Sequence, residues 1–125
     1  MNERMRIIKK ANPNLVVSIH MNSFSDSKVN GANCYYKLDD MASMECANLI
    51  QASLNKYCGA KNIKPKNGDY YILNASYYTS VLVECGFLSN PEEERLLNLK
   101  DYKEKIINAI HSGILLYFGK TTQYT

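Results

Sequence analysis

The chain has 125 residues, of which 46% are hydrophobic and 22% are charged, and its formal net charge is +3. This length suits one globular domain with its own core, and the composition excludes an intrinsically disordered chain. The small, scattered positive charge argues against nucleic acid as a partner. No apolar run is long enough to predict a membrane span, and the N-terminus lacks the apolar centre of a signal peptide.

The first half of the chain alternates between helical and strand patterns. Apolar spacing predicts four elements: a helix at 3–11, a strand at 15–20, a strand at 32–37 and a helix at 41–57. Asn12-Pro13-Asn14 separates the first helix from the first strand, and a polar loop at 23–31 separates the two strands. Asp39 and Asp40 can cap the second helix at its start, and Gly59 can cap its end.

The second half predicts four more elements: a strand at 69–74, a strand at 80–85, a helix from 91 and a last helix at 101–119. A basic turn is expected at 63–68. Asn90 can cap the third helix, with Pro91 at its first position, and Asp101 can cap the last one. The alternation of strands and helices predicts an α/β fold, with one domain at 1–119 and a frayed tail at 120–125.

Two of the predicted strands end on side chains that can do chemistry. The strand at 15–20 ends on His20, and the strand at 80–85 carries Glu84 just before Gly86. In open α/β sheets, functional groups gather outside the carboxyl ends of the strands, so His20 and Glu84 are candidate site residues. Taken alone, however, a histidine in such a place is more often structural than a ligand. A glutamate there is as often a salt-bridge partner or a helix cap.

The other reactive residue types predict structural roles. The four cysteines form no C-x-x-C pair, so we expect buried thiols rather than a zinc cage or disulfides at Cys34, Cys46, Cys58 and Cys85. His111 is expected on the last helix as a surface or partly buried residue. Glu45 and the run Glu92-Glu93-Glu94 are expected on helix surfaces, where the run complements the helix dipole.

A nucleophilic hydrolase is an alternative, because Cys85 adjoins Glu84 and Ser18 lies two residues before His20. Alternation along a strand places Ser18 and His20 on the same face. Two residues of rise, roughly 7 Å, predict a gap too wide for a direct nucleophile–base hydrogen bond. The chain also lacks a G-x-S-x-G elbow. The sequence therefore argues against this mechanism.

The chain resembles the zinc-dependent N-acetylmuramoyl-L-alanine amidases of the bacterial cell wall, and is most similar to the spore-cortex type. The resemblance runs from about Arg4 to Tyr117 and depends on four segments in order: Ser18-Ile19-His20-Met21-Asn22, Gly31 with Tyr35-Tyr36, residues 67–73 and residues 82–91. It implies a mixed, mostly parallel central sheet flanked by helices on both faces. It also implies that the family's first strands are missing here, so that the domain at 1–119 corresponds to the C-terminal two-thirds of the catalytic domain.

The resemblance also implies a site. In the family, two histidines and a glutamate hold zinc, and a further glutamate acts on the water at the metal. Matched motif by motif, His20 is a zinc ligand and Glu84 is the catalytic carboxylate, while the other two ligands are expected upstream of this chain. Asn22 and Asn74 are expected to contact the substrate. Asn22 is also a candidate partner for the second ring nitrogen of His20.

The activity implied is hydrolysis of the amide between N-acetylmuramic acid and L-alanine in peptidoglycan, in the cell wall or spore cortex, with any export signal outside this chain. The alternative is a catalytically incomplete fragment or wall-binding remnant, because one of three expected ligands is present and no spacing supports Asp26 or Asp69 as substitutes. Missing strands would leave an unpaired sheet edge, which predicts a homodimer or an accessory protein partner.

Overall fold

The computed structural model describes residues 2–59, 62–75 and 77–122. These residues form nine elements: α1 (Asn2–Ala11), β1 (Val16–Asn22), β2 (Asn33–Tyr36), α2 (Met41–Tyr57), β3 (Lys66–Asn67), α3 (Tyr71–Asn74), β4 (Ser80–Phe87), α4 (Pro91–Leu97) and α5 (Lys100–Thr122). The α/β class expected from the sequence is confirmed. None of the helices in these ranges combines the length and the apolar character that crossing a membrane requires.

The four strands form one mixed sheet in the order β1-β4-β2-β3. β1 pairs in parallel with β4, β4 pairs antiparallel with β2, and β2 pairs in parallel with β3. β4 is buried along almost its whole length and has a neighbour on each side. Among the described strands β1 pairs with β4 alone, so it is an edge of the sheet.

One face of the sheet is covered by α2 and α5. Alternate residues of β4, Val81, Val83 and Cys85, pack there in a core with side chains from both helices. The two helices approach closely at Gly113, where an added Cβ would lie 2.6 Å from the Cα of Ile50. α5 therefore needs glycine at this crossing point.

The opposite face is covered by α1 and α3. Leu82 of β4 packs there with Ile72 and Leu73 of α3, and the half-buried side chains against them are Met5, Ile8, Tyr35 and Tyr70. With helices on both faces, the three-layer arrangement implied by the resemblance is confirmed.

The strand expected at 69–74 is wrong, because Tyr71–Asn74 forms the short helix α3 instead. The tyrosine, isoleucine and leucine there favour a strand by propensity. One helical turn nevertheless directs Ile72 and Leu73 together onto Leu82, and both are buried. Strand β3, in turn, lies within the predicted basic turn and is defined by its backbone pairing with Tyr35 and Tyr36.

The helix ends match the sequence at most positions. α2 has the expected bounds, Asp40 accepts a hydrogen bond from the Ser43 N–H, and Gly59 follows the helix with a φ of +68°. Asp101 as a cap is wrong, since α5 begins at Lys100. The end at Gly119 is also wrong, because a glycine with room around it can continue a helix and α5 extends to Thr122. The rest of the predicted tail, residues 123–125, lies outside the described residues.

Candidate active site

His20 and Glu84 are directly opposite each other on neighbouring strands. Their Cα atoms are register partners in the parallel ladder between β1 and β4. Neighbouring strands lie about 4.8 Å apart, and residues in register on a sheet share a face. The sequence placed both residues at strand ends, and the fold brings these two ends together. What each side chain does there remains a prediction.

Glu84 is a buried carboxylate with an unused oxygen. Its exposure is 6%, and its Oε2 atom has no hydrogen-bond partner among the described residues. Burial raises the pKa of Glu84 above the ordinary value of 4.5, and the nearby His20 partly opposes this shift. Buried polar atoms almost always have partners, so the unused Oε2 marks a place for a cation, a water molecule or a substrate proton.

The imidazole of His20 is hydrogen-bonded to the side chain of Ser18. The Ser18 Oγ lies 2.6 Å from the His20 Nε2. The expected 7 Å gap between these side chains is therefore wrong, because side chains two residues apart on one face can lean toward each other across that spacing. The expected bond between Asn22 and the imidazole is not what the structure shows. Asn22 Oδ1 instead accepts a hydrogen bond from the Ser23 N–H at 2.8 Å.

Two tyrosines lie on the same face as Glu84 and are not among the predicted site residues. The rings of Tyr35 and Tyr70 meet edge to face, with their centroids 5.1 Å apart. Burial, helped by Tyr35 and by the charge of Glu84, raises the pKa of Tyr70 to about 12. Tyr70 therefore keeps its proton at neutral pH and can donate a hydrogen bond near the buried carboxylate.

Glu93 was expected on a helix surface, and this expectation is wrong. Its carboxylate accepts hydrogen bonds from the backbone N–H groups of Phe87 and Gly31, at 2.8 to 3.0 Å. Asn90 caps the same helix by accepting from the Glu93 N–H, and its Nδ2 donates to the Ser27 carbonyl. These bonds tie the polar loop after β1 to the end of β4.

Asn74 is the second residue expected to contact substrate, and its role there stays a prediction. It is exposed at the end of α3, and its amide donates to the Asp69 carboxylate at 2.7 Å. Asp26 accepts a hydrogen bond from the Lys28 N–H in the loop after β1. Within the described ranges no three His, Cys, Asp or Glu side chains converge as a metal site. His20 and Glu84 alone are therefore too few ligands for the zinc site that the resemblance implies.

Cys34, Cys46 and Cys85 are buried free thiols as expected, whereas Cys58 is only half-buried. Burial raises the pKa of Cys85 to about 11, with smaller contributions from Glu84 and Cys58. Because the thiolate is the nucleophile, a buried thiol with a raised pKa is a poor one. Cys85 also points to the face opposite Glu84, into the core with α2 and α5. The cysteine hydrolase alternative therefore lacks support from the structure.

A histidine and a buried carboxylate at adjacent strand ends of an α/β sheet define a candidate hydrolase that activates water. Residues 1–115 match the family described as N-acetylmuramoyl-L-alanine amidase. The chain belongs to this family.

Relatives and solved structures agree with this assignment. The chain is 33% identical over 118 residues to the germination-specific N-acetylmuramoyl-L-alanine amidase of Bacillus subtilis, covering 93% of this chain and 49% of that protein. It is also 33% identical over 118 residues to the amidase LytC of the same organism, covering 24% of that protein. The chain thus spans about half or less of these two relatives.

Among solved structures, the fold is similar to the CwlD amidase from Clostridioides difficile in complex with the GerS lipoprotein. The TM-score is 0.90 and the identity 41%, over 94% of this chain and 61% of that one. It is also similar to the catalytic domain of the amidase CwlV from Bacillus (Paenibacillus) polymyxa, with a TM-score of 0.86 and 29% identity over 94% of this chain and 65% of that one.

Proposed function

We propose that this chain forms part of the catalytic domain of a zinc-dependent amidase, which cleaves the amide between N-acetylmuramic acid and L-alanine in peptidoglycan. The observation that carries the proposal is that His20 is the register partner of Glu84, whose buried Oε2 has no hydrogen-bond partner among the described residues. One relative is named a probable cell wall amidase and another a germination-specific amidase, which supports a substrate in the cell wall. We therefore propose a location outside the cytoplasm, in the wall or spore cortex.

The donor chemistry at the two strand ends fits zinc. An imidazole nitrogen is a preferred zinc ligand. A buried carboxylate oxygen without a partner among the described residues is stabilised by a nearby cation or by a proton. His20 would hold the metal, and the two remaining ligands would come from sequence preceding this chain. When bound, zinc supplies a Lewis acid that lowers the pKa of water to about 7 and polarises the amide carbonyl.

Glu84 is the proposed acid–base group. Its Oε2 would take the proton from the attacking water and later give it to the leaving amine of L-alanine. A carboxyl group works best in both roles when its pKa is close to the working pH, and burial moves Glu84 in that direction. Leu82 and the pair Tyr35 and Tyr70 lie on the same face and would exclude bulk water.

Replacing Glu84 with Gln in the full-length, zinc-loaded protein, which includes the sequence proposed to supply the other two ligands, tests this role. We expect release of stem peptides from peptidoglycan to fall by about 10²- to 10⁴-fold, the range for loss of a general acid–base group. Zinc content should not change, because His20 remains. Glu45→Gln, an exposed position on α2, is the matched control. Normal peptide release by Glu84→Gln would remove the basis for this proposal.

The second candidate is a wall-binding fragment that does not cut. It is favoured by the finding that His20 and Glu84 are joined by no third ligand within the described ranges. Zinc sites use three or four protein ligands, so one histidine would hold the metal weakly. Metal analysis of the 125-residue chain after dialysis against a chelator separates the two. Stoichiometric zinc that stays bound after this dialysis would contradict the hypothesis of a wall-binding fragment.

We also propose a protein partner at the edge of the sheet. Ile19 and Met21 of β1 are 57% and 46% exposed, and they border an apolar cavity of about 260 Å³ beside α5. An edge strand with exposed apolar side chains is a pairing surface. The CwlD relative was solved in complex with a lipoprotein, which supports an accessory protein as the occupant, and a second copy of the chain is the alternative.

A further inference from the structure

The carboxylate of Glu93 is bonded to backbone groups from two other segments. Its Oε1 accepts from the Phe87 N–H at 2.8 Å and from the Gly31 N–H at 3.0 Å, and its Oε2 accepts from the Gly31 N–H at 2.9 Å. Hydrogen bonds from backbone N–H groups to a carboxylate are charge-assisted and roughly twice as strong as neutral ones. Glu93 therefore joins three parts of the chain: α4, the end of β4 and the end of the loop after β1.

The groups that Glu93 holds lie next to the candidate site. Phe87 is three residues after Glu84 on β4, and its Cα is the register partner of Asn22, two residues after His20. The ladder between β1 and β4 changes register between His20 and Asn22, and beyond this irregular point the Leu88 N–H donates to the Asn22 carbonyl at 2.8 Å. The Phe87 N–H bond to Glu93 supplies support at this irregular point.

The local sequence leaves space for the carboxylate. A Cβ at Gly86 would lie 3.3 Å from the carboxyl carbon of Glu93 and 3.2 Å from a methyl group of Leu97. A side chain at this position would thus crowd Glu93 away from the Phe87 N–H. The glycine that follows Cys85 gives α4 room to bring its carboxylate against the strand.

We propose that Glu93 is a positioning residue that sets the relative placement of His20 and Glu84. It does so through Phe87 and Gly31 and touches no reacting group. The kinetic part of this inference rests on the proposed amidase function. The structural part, which concerns where the two side chains lie, does not.

The test compares Glu93→Ala and Glu93→Gln with Glu94→Gln. Glu94 is the next residue on α4, is exposed and accepts a bond from Asn98 within its own helix region. It therefore controls for loss of a negative charge at the start of α4. If Glu93→Ala fails to fold, Glu93→Gln decides, because it keeps the shape and one acceptor oxygen. Thermal melting of each variant verifies folding.

Two measurements need no activity. In the zinc-free protein, amide hydrogen exchange is measured at Phe87 and Gly31, and the NMR signals of the His20 and Glu84 side chains are recorded. We expect Glu93→Ala to speed exchange at both amides by at least about tenfold, since each loses a charge-assisted bond. The side-chain signals of His20 and Glu84 should move in the Glu93 variants and stay in place in Glu94→Gln.

A third measurement uses the full-length, zinc-loaded protein, with the sequence proposed to supply the other two ligands, on peptidoglycan. The kcat of Glu93→Ala should fall by about 10- to 100-fold, the usual cost of losing a supporting contact around a site, with KM and zinc content unchanged. Unchanged exchange, unmoved His20 and Glu84 signals, or equal effects in Glu94→Gln would each overturn the inference. An inactive wild-type protein would instead refute the proposed function, and the NMR signals would still decide the role of Glu93.

Discussion

Glu84 and His20 are register partners, but Glu84 lies on a central strand and His20 on an edge strand of the described sheet. Glu84 is on β4, which is paired on both sides and buried, whereas His20 is on β1, which pairs with β4 alone among the described strands. The carboxylate is therefore held by the centre of the sheet and the imidazole by its margin. The behaviour expected of each residue follows from this difference.

The stability of the zinc-free protein should depend on the protonation of Glu84. Burial raises the pKa of Glu84, so between pH 4.5 and the folded pKa the native state binds more protons than the unfolded state. The contribution of Glu84 to the free energy of unfolding is therefore present at low pH, and it is lost as the pH rises from 4.5 through the folded pKa. At pH 7 we expect Glu84→Gln to be about 1 to 2 kcal/mol more stable than wild type, because an unpaired buried charge costs more than an amide.

Urea unfolding of both proteins at pH 4.5 and pH 7 measures this effect. The difference between wild type and Glu84→Gln should grow with pH. Equal stability at both pH values would show that the carboxylate is paired in solution.

Ser18→Ala should separate a supporting serine from a nucleophilic one. The Ser18 Oγ bond to Nε2 orients the imidazole, and loss of such a bond costs about 10- to 100-fold in metal affinity. We therefore expect weaker zinc binding by titration, with kcat at saturating zinc within about tenfold of wild type. Ser25→Ala, in the exposed loop after β1, is the control. Loss of activity on the order of 10⁶-fold, typical of a removed nucleophile, would support the serine mechanism instead.

Gly113→Ala should destabilise the chain, although alanine favours helices. The added methyl carbon would lie 2.6 Å from the Cα of Ile50, so α2 and α5 must move apart, at a cost of about 1 to 3 kcal/mol. Gly119→Ala is the matched substitution on the same helix, with nothing within 4 Å of its Cβ, and should stabilise by up to about 1 kcal/mol. Opposite shifts in thermal melting are the expected result, and shifts of the same sign would contradict the close crossing.

Ile19→Lys should weaken self-association at the edge of the sheet. Ile19 is 57% exposed on β1, and a charge there opposes pairing with another apolar surface. We expect the chain to self-associate in light scattering, and the variant to do so at least about tenfold more weakly, given roughly 1.5 to 3 kcal/mol for burying one such side chain. Leu38→Lys is the control, because Leu38 is 56% exposed and lies outside β1. A wild-type chain that stays monomeric at all concentrations would contradict this prediction.

Sequence patterns predicted the parts of the fold that carry strong local signals. The caps Asp40 and Asn90, the helix at 41–57 and the apolar run of β4 each appear where expected. The sequence pattern wrongly predicts a strand at α3, because four residues are too few to show a helical period. Packing of Ile72 and Leu73 onto Leu82 favours the helix instead. β3 was not expected, because two polar residues paired only through their backbone leave no side-chain pattern.

The site followed the same rule. The positions of His20 and Glu84 at strand ends were predictable because strand ends are visible in sequence and the family motifs coincide with them. The bond between Ser18 and His20 depends on how two side chains lean, and alternation does not encode that. Glu93 looks like its neighbours Glu92 and Glu94 in sequence. Its distinct role arises because α4 turns that one position toward Phe87 and Gly31.

The place of His20 on an edge strand of the described sheet has a consequence for how firmly its imidazole is held. Any strand that pairs with β1, from the same chain or from a partner, also steadies the residue proposed as a metal ligand. Completing the sheet and completing the site thus become one event. Under the proposed function, a copy that lacks this pairing would keep Glu84 in the central strand but hold His20 loosely, and it would be inactive.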